Sequence, residues 1–194
     1  MRHIHPRRVA HPKHGQKYHE VNSKRGVLKA ARRLYRWIDL DCRVTKDGVL
    51  VITHWPKPWV MDGFNRPEGI TAHDTVETLT WKQIKKLRTK DNYRIWRADK
   101  LVPFAVEEGL RVELELKSDN ITATQLKALR KKLPKKTWVQ AKRLGTLGGR
   151  ELLNAKRAGY KTILLGGGKR RPTPTVPRSW QEFIDYQRGR VNWR

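Results

Sequence analysis

Residues 37–55 read WIDLDCRVTKDGVLVITHW, and this stretch decides the fold. Side chains alternate faces along a strand, so Asp39 and Asp41 point one way while Ile38, Leu40 and Cys42 point the other. Lys46-Asp47-Gly48 is a turn signal, and Val49–Thr53 is apolar again, the pattern of a hairpin or a bent strand pair. His54 ends that apolar run. Two carboxylates in an otherwise buried strand, with an imidazole close behind, suggest a site rather than a core.

Working outward, strand and helix patterns alternate. Arg8–His11 reads as a short strand, and Ser23 as the N-cap of a helix with Val27, Ala31, Leu34 and Tyr35 at helical spacing up to Arg36. Residues 55–73 hold Pro56, Pro58, Gly63, Pro67 and Gly69, and read as a long loop or small insertion. Thr80 caps a helix with Trp81, Ile84 and Leu87 on one face. Arg111–Lys117 alternates as a strand. The pattern then gives a basic helix over 122–133, a strand over Thr137–Ala141, a helix over Leu147–Ala158 and a strand over Lys161–Leu165. Gly166-Gly167-Gly168 ends that strand, the Pro/Thr stretch 170–179 reads as a linker, and Ser179–Arg188 reads as a last helix. This order predicts an α/β fold with parallel strands in one domain spanning residues 1–194.

The chain of 194 residues is long enough for one domain with a real core. No apolar run approaches the ~20 residues of a membrane helix, and the basic N-terminus lacks the apolar centre of a signal peptide. One cysteine forbids an internal disulfide. The net charge of +26 is unevenly placed. Residues 1–38 hold 11 Lys/Arg against one acid, residues 120–194 hold 19 against three, and residues 39–119 hold 14 of each. Basic flanks around a neutral middle attract polyanions: nucleic acid, an anionic membrane or a phosphate-rich polymer.

The strand Arg111–Lys117 puts Glu113, Glu115 and Lys117 on one face. If it neighbours the first strand, several carboxylates and a lysine converge. Such charges repel unless a cation sits among them, and oxygen-only ligation suits Mg²⁺ or Ca²⁺ rather than Zn²⁺. The plainer reading is a solvated sheet face that meets Lys and Arg. Five of the seven histidines, His3, His5, His11, His14 and His19, lie in the first 19 residues, as in a solvated basic arm or an adventitious metal site. His54 on its own is a capped strand end.

Taken together these residues resemble the glycerophosphodiester phosphodiesterase family over residues 8–118. Thr45-Lys46-Asp47-Gly48 and the apolar run ending in His54 resemble the family's core signature, with Asp39-Leu40-Asp41 in place of its Glu-x-Asp. Val9-Ala10-His11 resembles the first strand and its histidine. Glu20-Val21-Asn22-Ser23 resembles the Glu-Asn-Thr that follows, Asp74-Thr75 with Leu79, Ile84 and Leu87 a later stretch, and Glu115-Leu116-Lys117 the Glu-x-Lys of a further strand. The resemblance implies a TIM-type (β/α) barrel with its site at the C-terminal strand ends. It also implies Asp39, Asp41 and Glu115 as metal ligands, His11 and His54 as catalytic histidines, and Lys117 facing the phosphate. Residues 119–194 would then form the basic C-terminal part of the barrel.

The chain departs from the family pattern in several places. Pro12 and Lys13 replace the Arg-Gly after the first histidine, so Lys13 stands in for the phosphate contact, as Arg7 or Arg8 could; His14-Gly15 is a rival alignment. Asp39 is one methylene shorter than Glu, and Trp55 replaces an Asp. The chain is short for eight strands, so the expectation is an incomplete barrel whose edges need a covering helix or a second copy in a homo-oligomer. The small size and odd charge suggest a viral source. The expected function is metal-dependent phosphodiester hydrolysis. Its substrate would be a glycerophosphodiester, a cell-wall glycerophosphate polymer, a phospholipid headgroup or nucleic acid. Two alternatives stay open. One is a metal-dependent nuclease built on Asp41 and Glu115-x-Lys117. The other is a decayed barrel that binds polyanions through the basic helix Gln125–Lys136.

Overall fold

Trp37–Val44 is a strand because its apolar and charged residues alternate, and every side chain from Ile38 to Val44 is buried. A strand buried on both faces sits in the middle of a sheet. The computed structural model describes residues 9–10, 18–66, 68–133, 139–144, 149–166 and 169–171. The chain begins with β1 (Val9–Ala10), α1 (Tyr18–Val21), α2 (Lys24–Arg32), β2 (Trp37–Val44) and β3 (Leu50–Ile52). It continues with α3 (Pro58–Met61), α4 (Trp81–Ile84), β4 (Trp96–Arg97), α5 (Ala98–Glu107) and β5 (Arg111–Leu116). Last come α6 (Ala123–Lys131), β6 (Val139–Leu144), α7 (Gly149–Arg157), β7 (Lys161–Gly166) and β8 (Lys169–Arg171).

One mixed sheet results, in the order β4-β3-β2-β5-β6-β7-β8, with β1 also on β2. The pairs β1–β2, β2–β5, β5–β6 and β6–β7 are parallel, as the strand–helix alternation predicts, while β3, β4 and β8 pair antiparallel. Among the described residues the sheet is open: β4 and β8 are its ends. This is an α/β fold with an incomplete barrel. The predicted helix Ser179–Arg188 and the 170–179 linker lie outside the described residues, apart from the start of that linker in β8.

The face of β2 and β5 opposite the acids makes the main core. Ile38, Leu40, Cys42 and Val44 of β2 and Val112, Leu114 and Leu116 of β5 pack with Ala98, Leu101, Val102 and Ala105 of α5. Each large aliphatic side chain removed from water there contributes roughly 1.5–3 kcal/mol. The sequence pattern leaves α5 unassigned because Pro103 stands inside it, removing an N–H that would bond the carbonyl of Asp99. Four buried apolar residues outweigh that loss. Ser23 does cap α2, its Oγ accepting from Gly26 N at 3.1 Å.

The chain between β3 and α5 is more than a loop. Val51, Phe64, Ile70, Val76, Leu79, Ile84, Leu87 and Ile95 form a second apolar cluster. The 45–49 turn ties this excursion to the sheet. Gly48 adopts φ +80°, Asp47 Oδ1 accepts from Thr45 Oγ1 at 2.5 Å and from Trp81 N at 2.9 Å, and Lys46 N donates to Leu79 O at 2.8 Å. The Thr-Lys-Asp-Gly segment is thus a structural clamp rather than a source of reactive groups.

Candidate active site

The register of β2 on β5 places Asp39 beside Glu113 and Asp41 beside Glu115. All four carboxylates are buried, at 1–5% exposure. Two residues apart on each strand, they share one face, as alternation predicts. Lys117, just past the end of β5, contacts the Glu115 carboxylate and lies 3.5 Å from Asp41 Oδ1. Its ammonium therefore bridges the two acids at the C-terminal end of the strands. The sequence expectation that Lys117 faces a phosphate is joined by this bridge to the two acids.

Asn22 carries a contact that its sequence neighbourhood does not reveal. Among the described residues, β1 covers the edge of β2 at Trp37 and Ile38 below Asp41, and β3 begins at Cys42 above it. Asp41 sits in the gap. Asn22 fills it, its Oδ1 accepting from Asp41 N at 3.0 Å and its Nδ2 donating to Asp41 Oδ2 at 2.8 Å. Thr53 N donates to Asp41 O at 2.8 Å, completing the ladder. Burying an amide without a partner is costly, so this side chain supplies the bond that a neighbouring strand would otherwise make.

Arg43 belongs to the same face as Asp39 and Asp41, and alternation alone could have found it. Its Nε donates to the carbonyl of His54 at 2.9 Å, and its Nη1 to Glu77 Oε1 at 2.7 Å. Ser118 Oγ donates to the same Glu77 oxygen at 2.5 Å and accepts from Val44 N at 3.2 Å. The network joins the segment carrying His54 to the residue after Lys117. Burial pushes the Glu77 carboxyl up, but the Ser118 hydroxyl and the Arg43 guanidinium outweigh it and hold it below its ordinary value.

His54 is half-buried, and its ring stacks on Tyr18 at 3.8 Å between centroids and meets Trp55 edge-on at 4.2 Å. Burial depresses its pKa below 6.5; Asp41 and Glu115 oppose this, while Lys117 and Arg43 reinforce it. Burial thus favours the uncharged imidazole, the form whose lone pair can accept a proton. Nδ1 has no hydrogen-bond partner among the described residues. The structure thus brings together Asp41, Glu115, Lys117 and His54, while Asp39 lies two residues back along the same face of β2, beside Glu113. His11 and Lys13 lie outside the described residues.

One expectation needs correction, and a second gains a structural side. His19 is not part of a solvated arm: it is 5% exposed, packs edge-on against Phe64 and Tyr93, and faces Asp62 Oδ1 at 3.9 Å. It plugs α1 into the second apolar cluster, an outcome a histidine-rich segment does not advertise. The basic helix is also not simply a phosphate grip. Arg130 lies over Tyr160 at 5.4 Å, and Lys132, at its C-cap, pairs with Asp99 at 2.6 Å. Cys42 offers no nucleophile, since burial and then the nearby Asp41 charge push its thiol up to about 12.

A divalent cation is tested by the donors present. Among the described residues, no three His, Cys, Asp or Glu side chains gather as a closed ligand set. Asp41 and Glu115 nevertheless form a buried cross-strand pair of oxygen donors whose like charges demand a cation, a demand that Lys117 meets in part. All-oxygen chemistry fits a hard ion.

Comparison with known proteins bears on this arrangement. The model of the glycerophosphoryl diester phosphodiesterase family matches residues 15–161. No curated protein matches in sequence. Among solved structures, a phosphodiesterase of Oleispira antarctica in complex with the product sn-glycerol-3-phosphate is 15% identical with a TM-score of 0.58, over 92% of this chain and 70% of that one. A glycerophosphodiester phosphodiesterase of Parabacteroides distasonis is 16% identical with a TM-score of 0.54, over 90% and 68%. One of Agrobacterium tumefaciens is 15% identical with a TM-score of 0.51, over 80% and 85%. The chain spans 53–85% of the length of such structures, so it matches their barrel in part. With three quarters of its length under the family model and its acids on the strands of a shared fold, the chain belongs to the glycerophosphoryl diester phosphodiesterase family.

Proposed function

We propose that the protein hydrolyses a phosphodiester of the glycerophosphodiester type at the C-terminal ends of β2 and β5, as one domain. The observation that carries this reading is the register pair Asp41 and Glu115 with Lys117 bridging them, beside a half-buried His54. Asp41 and Glu115 would hold Mg²⁺ or Ca²⁺, with Asp39 the third ligand that the family resemblance implies. Such an ion offsets phosphate charge as the transition state builds more of it. The ammonium of Lys117 adds to that offset and orients the phosphate. One histidine takes the proton from the attacking water, whose oxygen bonds to phosphorus. The other gives a proton to the departing alkoxide as its P–O bond breaks. Burial favours the uncharged form of His54, which suits it to the first role, and the family resemblance assigns the second histidine to His11. Lys13 would supply the further phosphate contact.

The test is turnover of an aryl phosphodiester and of a glycerophosphodiester by the full chain. Turnover with Mg²⁺ or Ca²⁺ is expected to vanish on chelation, and His54→Ala is expected to lower kcat by about 10²–10⁴-fold. Turnover unaffected by both changes refutes the proposal, as does cleavage of duplex DNA that survives His54→Ala while the small diesters are untouched.

A further inference from the structure

The excursion between β3 and α5 carries a second cationic feature that shares no residue with the site above. The end of α4 and the chain after it, β4, and the first turn of α5 enclose a cleft of about 320 Å³. Trp81 and Trp96 supply its aromatic walls, and Lys85, Arg88, Arg94 and Lys100 stand around them. No carboxylate lines it. Lys85, Arg94 and Lys100 are exposed, and both indoles are half-buried, with Lys24 Nζ from α2 also 5.2 Å from the Trp96 ring centroid.

None of these four cations is in an ion pair with a described carboxylate. The fifth basic residue there, Arg97, is committed to Asp99 through bonds of 2.9 and 2.8 Å, and Asp99 also takes Lys132 at 2.6 Å. The nearest acid thus spends its charge elsewhere. Arg88 serves the chain after α4, its Nη1 donating to Lys85 O at 2.8 Å and to Leu87 O at 2.7 Å, but four like charges around one small cleft still repel each other. The arrangement does suit an anion.

The aromatic groups narrow the choice of anion. A polyanion held by charge alone has no use for indole faces. Here the Arg94 guanidinium lies 3.7 Å from the centroid of Trp96, forming a stacked planar pair. Aromatic rings and guanidinium planes set in a positive groove are what bases and phosphates together require. We propose that this cleft is a single-stranded nucleic-acid subsite: bases stack on Trp81 and on the Arg94 guanidinium that covers Trp96, and phosphates lie against Lys85 and Lys100.

The whole chain is basic enough to attract any polyanion, so the test separates stacking from charge. Fluorescence anisotropy of a labelled oligodeoxythymidylate is compared with binding of heparin, which has charge but no bases. Trp81→Ala and Trp96→Ala are each expected to weaken the oligonucleotide by about 5- to 150-fold and to leave heparin unchanged. The Lys85→Ala/Lys100→Ala pair should lower the oligonucleotide salt slope by about 1.4, two contacts at about 0.7 each. Lys29→Ala/Lys131→Ala, which removes the same charge from α2 and α6, should leave the slope unchanged. Equal losses for oligonucleotide and heparin, or equal slopes from both lysine pairs, overturn the proposal in favour of undirected charge. Because Trp96 also packs on the core, the wild-type chain is photo-cross-linked to a bromodeoxyuridine oligonucleotide. Adducts on the peptides holding Trp81 or Trp96 support the subsite, and adducts confined to the basic ends refute it. None of these readouts uses phosphodiester turnover, so failure here leaves the reading of β2 and β5 untouched.

Discussion

Asn22→Ala is the sharpest probe of how this site is held. Asn22 is 2% exposed and makes two bonds to Asp41, one to its carboxylate and one from its backbone N–H. The bond to the charged oxygen contributes about 1.5–3 kcal/mol, and stranding a buried N–H costs about 1–3 kcal/mol. Their sum, on the order of 3–5 kcal/mol, is a large share of the ~5–15 kcal/mol that stabilises an ordinary domain. Urea unfolding should therefore shift to a much lower midpoint with little change in slope. A cycle with Asp41→Asn separates the carboxylate bond from the amide: the coupling should come out at about 1–2 kcal/mol, because the neutral side chain still accepts from Nδ2. A stability loss below about 0.5 kcal/mol for Asn22→Ala would refute the argument that this side chain completes the hydrogen bonding of the β2 edge at Asp41.

Other expectations follow from the same geometry. Glu77 has its folded pKa held below 4.5, so it contributes stability above its unfolded pKa and loses it as pH falls through the folded value. Glu77→Gln should flatten the acid limb of urea midpoint against pH, and an unchanged limb would contradict the network with Arg43 and Ser118. Tyr18→Phe keeps the ring stacked on His54, whereas Tyr18→Ala exposes the imidazole; its NMR-titrated pKa should then rise towards 6.5, with roughly tenfold slower turnover. No upward shift would mean that Tyr18 does not bury the ring. Gly48→Ala forces a side chain into φ +80° with its Cβ 3.2 Å from Gln125 Nε2, and should cost about 1–2 kcal/mol in unfolding experiments.

The strand Trp37–Val44 was legible to the residue because its alternation is strict and a turn closes it. The facing of Asp39 with Asp41, and of Glu113 with Glu115, followed from period two alone. Helix α5 was not legible, because Pro103 argues locally against a helix that burial of Leu101 and Val102 then imposes. The excursion read as loop through its prolines and glycines, although its apolar residues close into a cluster of their own.

What the order of residues determined by itself was a set of facings: acids on one side of each strand, aliphatics on the other, and a histidine behind the turn. Chain stereochemistry alone requires this, since a pleated backbone admits no other alternation. Only the tertiary structure decided that β2 and β5 are neighbours in a register that sets Asp41 against Glu115. It also decided that Asn22, Arg43 and Glu77 serve the site. A polar residue reads as solvated until another element brings the group that it bonds, and those partners here lie 11 to 34 residues away.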